Sequence, residues 1–159
     1  MKSTSTTALL SFAFLLFALS PLPAHAFGLS GVAAKVGAVN PDDADGSVLV
    51  GGHLELEQAG THFHLQPGLM YWSSNGLSDL NPSFDVMYHF RPERMLGPYL
   101  GAGAGMHFYN DDHSDLGANL FGGVLIPANA MRLFVEGRYV ATDRSQTSIL
   151  GGVTFPVGR

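Results

Sequence analysis

The sequence predicts an all-β chain: eight antiparallel strands running up and down and closed into a transmembrane barrel, preceded by a cleaved signal peptide. Three observations predict it. The chain starts with a short apolar leader, it then returns eight times to period two, and the less oily face of those segments is composed wrongly for water.

The leader comes first. Lys2 sits in a short polar start, an apolar run extends from Ala8 to Leu19, Pro21 and Pro23 break it, and Ala24-His25-Ala26 follows. A positive start, an apolar stretch and a small-x-small site make a secretory signal peptide, with cleavage expected after Ala26. The run is too short for a spanning helix, which needs about 20 apolar residues. Residues 27–159 are then the working domain. Lys2 leaves with the leader, so seven of the 8 Lys+Arg face all 13 Asp+Glu, a net charge of −6. That balance excludes a nucleic-acid partner, whose phosphates need a basic face. Zero cysteines exclude a disulfide scaffold, a thiol nucleophile and a thiolate metal site.

Candidate strands are 31–39, 47–58, 61–72, 82–91, 98–109, 116–126, 131–141 and 146–157. Breaks rich in Gly, Pro, Asn and Asp separate them, as antiparallel strands require. Strand three divides into Thr61, Phe63, Leu65, Pro67, Leu69 and Tyr71 against His62, His64, Gln66, Gly68, Met70 and Trp72. Strand two sets Val48, Val50, Leu54 and Leu56 against Leu49, His53, Glu55 and Glu57; strand four sets Phe84, Val86, Tyr88 and Phe90 against Ser83, Asp85, Met87, His89 and Arg91. Strands five and seven divide in the same way. A soluble sheet would turn a Lys/Glu mixture to water. Here the polar face offers histidines, glycines and isolated charges, which suits the inside of a narrow barrel whose oily face meets lipid. Gly101, Gly103 and Gly105 fit such an interior, where neighbouring strands supply bulk.

Aromatic residues sort toward the rims. With strands alternating up and down, Tyr71, Phe84, Phe108 and Tyr139 fall toward one end and Phe63, Tyr88, Phe90 and Phe155 toward the other, as the two interfaces of a bilayer favour. The breaks after strands one, three, five and seven carry Asp42, Asp43, Asp45, Asp79, Asp111, Asp112, Asp115 and Asp143, which marks them as the outer loops.

Behind its leader, with Gly97-Pro98-Tyr99-Leu100-Gly101-Ala102-Gly103-Ala104-Gly105 and Leu133-Phe134-Val135-Glu136-Gly137-Arg138-Tyr139, the chain resembles the small eight-stranded outer-membrane β-barrels of Gram-negative bacteria, the OmpA/OmpX-like group. The resemblance implies export through the periplasm, insertion into the cell outer membrane by the barrel assembly machinery, and surroundings of outer-membrane lipid and lipopolysaccharide. Such barrels usually end on an aromatic residue. This chain ends Phe155-Pro156-Val157-Gly158-Arg159, so Phe155 would serve as the terminal aromatic.

Inside the barrel the sequence places a polar network of Lys35, His53, Glu55, Glu57, His62, His64, Asp85, His89, Arg91, Arg132, Glu136 and Arg138. Opposed charges of this kind fill a lumen too narrow for a channel. If Ala59-Gly60 is a two-residue hairpin turn, Glu57 faces His62, Glu55 faces His64 and His53 faces Gln66. A metal site could be drawn from His62, His64, His89, Glu55 and Glu57, because two imidazoles on one strand face supply half a tetrahedron; the inward polar residues that any such barrel requires are the plainer explanation. No cofactor is expected. A lipid-modifying enzyme would need Ser, His and an acid grouped on the lipid wall near the outer rim, and the expected wall has no His, Asp or Glu. His113-Ser114-Asp115 lies in a loop. A soluble lipocalin-like carrier would instead bury Leu54, Leu56, Phe63, Leu65 and Val135 and expose the histidines. The resulting reading is a monomeric, non-catalytic outer-membrane barrel serving envelope integrity or surface exposure.

Overall fold

The computed structural model describes residues 27–90 and 97–157 of the 159. The leader, 1–26, and Arg91 lie outside them. Eight strands form: β1 Gly28–Pro41, β2 Ser47–Glu57, β3 Phe63–Ser74, β4 Leu77–His89, β5 Gly97–Tyr109, β6 Ser114–Ala128, β7 Met131–Ala141 and β8 Gln146–Pro156. Each pairs antiparallel with its sequence neighbour, and β1 closes on β8. At 11 to 15 residues each, they reach or exceed the roughly 9–11 that a tilted spanning strand needs. Both described termini lie at one end of the barrel with the β2–β3 and β6–β7 turns. The other end, the loop end, carries the connections 42–46, 75–76, 110–113 and 142–145.

Burial alternates along the strands, and the polar residues lie on the buried side. Lys35, His53, Glu55, Asp85, His107, Glu136 and Arg138 are inside, while Val48, Leu116 and Ile149 are 64%, 63% and 70% exposed. In water each such side chain would forgo about 1.5–3 kcal/mol of burial, and an apolar belt this continuous marks a lipid-facing wall. Leu54, Phe63 and Val135, which a carrier would bury, are about half exposed.

Small and large residues interlock inside. A Cβ on Gly101 would overlap the Phe121 ring, one on Gly103 the Asp85 carboxylate, and one on Gly105 the Asn81 amide. The glycine row thus leaves room for bulk from β4 and β6. The terminal-end belt assembles where expected: Tyr88 lies 5.0 Å from Phe63 and 5.2 Å from Phe90 between ring centres. Phe84 corrects the other belt. It pairs with Pro67 and Ala104 at mid-height of the wall, because β4 starts five residues before the expected Pro82.

That longer β4 follows from Asn75-Gly76. Their φ values of 47° and 85° are the paired left-handed conformations of a two-residue hairpin turn, which Asn-Gly favours. The expected loop 73–81 therefore shrinks to two residues, and Asp79 moves from an outer loop to the lumen. The β2–β3 register also differs from expectation. Glu57 pairs with His64 and His53 with Gly68, a two-residue shift that preserves which face each residue occupies. Its cause is a four-residue turn, closed by Thr61 N donating to Gln58 O at 3.1 Å with Gly60 at φ 79°. A turn with only its third residue left-handed splays the strands, so the ladder resumes later.

Candidate functional site: the lumen and its two ends

Three polar layers fill the lumen. The central one is built on Arg138 of β7. Its Nε donates to Glu136 Oε1 at 3.0 Å, its Nη1 donates to Asp85 Oδ2 at 2.8 Å, and its guanidinium lies 4.2 Å over the Phe121 ring. Asn119 Nδ2 donates to Asp85 Oδ1 at 2.8 Å, and Tyr99 OH donates to Glu136 Oε2 at 3.1 Å. All four oxygens of these two buried carboxylates are therefore partnered. Lys35 lies buried within electrostatic reach of both, so two cations balance two anions.

Toward the loop end, Asp79 and His107 are 1% and 0% exposed. His107 Nδ1 lies 2.7 Å from Asp79 Oδ2, and Gln146 Nε2 donates to that same oxygen at 3.2 Å. Asn81 Nδ2 donates to Met106 O at 3.2 Å and lies 3.0 Å from His107 Nε2. An amide nitrogen already pointing at a carbonyl can only donate to the ring. The ring of His107 thus stands with Nε2 toward the Asn81 amide and Nδ1 toward Asp79. Val39, Leu49, Met70, Trp72, Tyr109 and Leu150 pack in an apolar cluster at this end, and Arg144 from the β7–β8 loop covers the Tyr109 ring at 4.8 Å.

Toward the terminal end, Glu55 accepts from Arg132 Nη2 and, at 3.1 Å, from Thr154 Oγ1. His53 Nε2 stands 3.6 Å from Glu55 Oε1. Beyond this group a basin of about 580 Å³ opens, lined among others by Glu57, His64, His89, Leu125 and Arg132. The His64 and His89 rings stack at 4.3 Å between centres. His64 Nδ1 and His89 Nε2 are buried without a partner among the described residues.

Of the interior set expected from sequence, Lys35, His53, Glu55, His64, Asp85, His89, Glu136 and Arg138 are buried in the lumen, and Glu57 and Arg132 are half-buried at its mouth. His62 is a correction. It lies in the turn before β3, exposed, its ring 5.7 Å from Tyr88 on the outer wall, because the strand that would hold it inward begins only at Phe63. Arg91 lies outside the described residues. Of the five residues drawn on for a metal, His62 is therefore outside and Glu55 is engaged by Arg132 and Thr154; among the described residues no three His, Asp or Glu groups already converge on one point. Asp79, Asn81, His107, Asn119 and Gln146 were not in the expected network. The Asn75-Gly76 dipeptide was the signal that would have found the first two. His113, Ser114 and Asp115 make separate contacts: His113 stacks 5.8 Å from Tyr109, and Asp115 Oδ2 accepts from Asp143 N at 2.7 Å.

No protein-family model matches the chain, and no curated protein matches it. Solved structures do. Neisserial surface protein A superposes with a TM-score of 0.67 at 11% identity, over 79% of this chain and 95% of that one. The N-terminal β-barrel domain of Pseudomonas aeruginosa OprF gives 0.63 at 16%, over 81% and 98%. The outer membrane enzyme PagL gives 0.54 at 16%, over 80% and 100%. At these identities the likeness is one of fold, and the fold is that of the small eight-stranded outer-membrane β-barrels.

Proposed function

We propose that this chain is a monomeric protein of the Gram-negative outer membrane, inserted by the barrel assembly machinery and surrounded by lipid and lipopolysaccharide. Its role is structural or surface-exposed, not catalytic or channel-forming. The observation that carries this reading is the inverted burial: an apolar outer wall around a lumen filled by the Asp85–Arg138–Glu136 layer. An eight-stranded barrel so filled holds no continuous water path. With both termini on the periplasmic side, the loop end carrying Asp42, Asp43, Asp45, Asp111 and Asp112 faces outward. Loops this short leave little surface for a large partner.

The test has three readouts on the native protein. It stays in envelopes washed with buffer and leaves with detergent. Its gel mobility differs between unboiled and boiled samples. It adds no conductance steps to a planar bilayer. Extraction by buffer alone would overturn the membrane reading, and discrete conductance would overturn the filled lumen. The similarity to PagL brings a lipid-modifying enzyme into comparison. Fatty-acid release from labelled lipopolysaccharide, lost on Ser114→Ala, would replace the non-catalytic role; none is expected, since Asp115 is already bound to the β7–β8 turn.

A further inference from the structure

Two of the eight ladders lose rungs while keeping their register, and each gap sits at a proline of the outer wall. A proline has no N–H to give a neighbouring strand. Between β4 and β5, pairing stops at Leu80↔Phe108 and resumes at Ser83↔Gly105, so the missing pairs are Asn81–His107 and Pro82–Met106. Between β2 and β3, pairing stops at His53↔Gly68 and resumes at Leu56↔Leu65, so Leu54–Pro67 and Glu55–Gln66 are missing. In each ladder these are the two pairs that an N–H on the proline would support. The two gaps are finished differently. Asn81, inward and just before its proline, donates from Nδ2 to Met106 O at 3.2 Å, so the carbonyl opposite Pro82 regains a donor. Gln66 holds the same place before Pro67, but its Nε2 lies 3.3 Å from His53 Nε2 and donates to Met87 Sδ at 3.5 Å. No side-chain donor reaches Leu54 O among the described residues. A groove of about 670 Å³ opens over this gap, lined among others by Gly51, Gly52, Leu54, Pro67, Gly68 and Leu69. Leu54 and Leu69 are exposed, which puts the groove on the oily side of the wall.

We propose that the β2–β3 seam at Leu54–Pro67 is the lateral opening point of the barrel, the place where the wall parts toward lipid while the other seams stay closed. In a wall with no water at hand, neighbouring strands are held by their hydrogen bonds, so the seam with an unpatched gap opens at the lowest cost. The same stretch is weakened twice more. Gly51 and Gly68 give it no side chain on the inner face and Gly52 none on the outer one, and glycine inside a strand loosens it. The splayed turn 58–61 then leaves these two strands without a tight hairpin to hold their ends. On the inner face Gln66 meets His53 across the gap, so opening brings the outer groove into line with these two lumen residues. The inference rests on the closed barrel alone, and it stands or falls apart from the role proposed above.

Amide hydrogen exchange of the native protein folded in detergent tests it, read residue by residue by NMR and compared as protection factors. The amides of Leu54, Leu65 and Leu69, which face the β2–β3 seam, are at least tenfold less protected than those of Leu80, Met106 and Phe108, which face the patched β4–β5 seam. Pro67→Val restores the missing N–H; it raises protection of the first set at least tenfold and leaves the second set unchanged. Asn81→Ala removes the patch; it lowers protection of the second set and leaves the first unchanged. Unboiled gel mobility establishes that each variant is folded. Should a variant fail to fold, the comparison of the two sets in the unaltered protein decides alone. Equal protection of the two sets there, or a folded Pro67→Val with Leu54, Leu65 and Leu69 exchanging as before, would overturn the opening point.

Discussion

The central layer and the terminal mouth of the lumen are built from the same kinds of residue and are solved in opposite ways. At the centre, Arg138 joins two carboxylates, and Asn119 and Tyr99 take the oxygens it leaves. At the mouth, two imidazoles stack face to face with nitrogens unspent. The difference follows from charge. A buried charge must be answered by protein groups, because desolvation is not otherwise repaid. A ring nitrogen left without a partner costs less than an unpaired buried charge. The centre is therefore tied across the barrel, while the two stacked rings of the mouth are not.

The largest expected effect comes from breaking the centre. Arg138→Met leaves Asp85 and Glu136 buried without their shared cation, and it should destabilise the barrel by about 3–5 kcal/mol, read as a lower urea midpoint for the loss of the unboiled gel band. Next comes the packing that frames the layer. Gly101→Val drives a side chain into the Phe121 ring beneath Arg138 and should cost about 1–3 kcal/mol by the same measurement. The mouth should respond less: His89→Ala removes one ring of a stacked pair and should cost about 1 kcal/mol. If His89→Ala proved as damaging as Arg138→Met, the division between a tied centre and a more loosely tied mouth would be wrong.

The smallest effect lies outside the wall. Arg144 Nη2 donates to Asp111 Oδ2 at 2.7 Å at the loop end, and this hydrogen bond holds the Asp111 carboxyl below its ordinary value of 3.8. A depressed folded value means the contact contributes above the ordinary value and is lost as pH falls through the lower, folded one. Carboxyl chemical shifts should place the Asp111 midpoint under 3.8 in the native protein and raise it toward that value in Arg144→Ala. Thermal stability should not change measurably, since the pair is exposed to solvent.

Much of this was legible without coordinates. Period two assigns a face to each residue locally, so Lys35, Glu55, Asp85, Glu136 and Arg138 could be placed inside from sequence. The errors sit where turn geometry rules. The β2–β3 register lies two residues from the one a two-residue Ala59-Gly60 turn predicts, His62 faces outward, and Asp79 sits in the lumen and not in a loop, each through a turn whose backbone conformation the strand pattern does not encode. Alternation alone puts His107 on the inward face of its strand, but its contact with Asp79 requires β4 to begin at Leu77.

The sequence by itself determined the eight strands, the oily outer wall and the polar interior, because side-chain alternation is a property of each strand alone. Only the closed barrel decided who meets whom. Asp85 reaches Arg138 across 53 residues and Glu55 reaches Thr154 across 99. Such pairs exist because closure of β1 on β8 sets every register around the ring, and that condition belongs to the whole chain and to none of its segments.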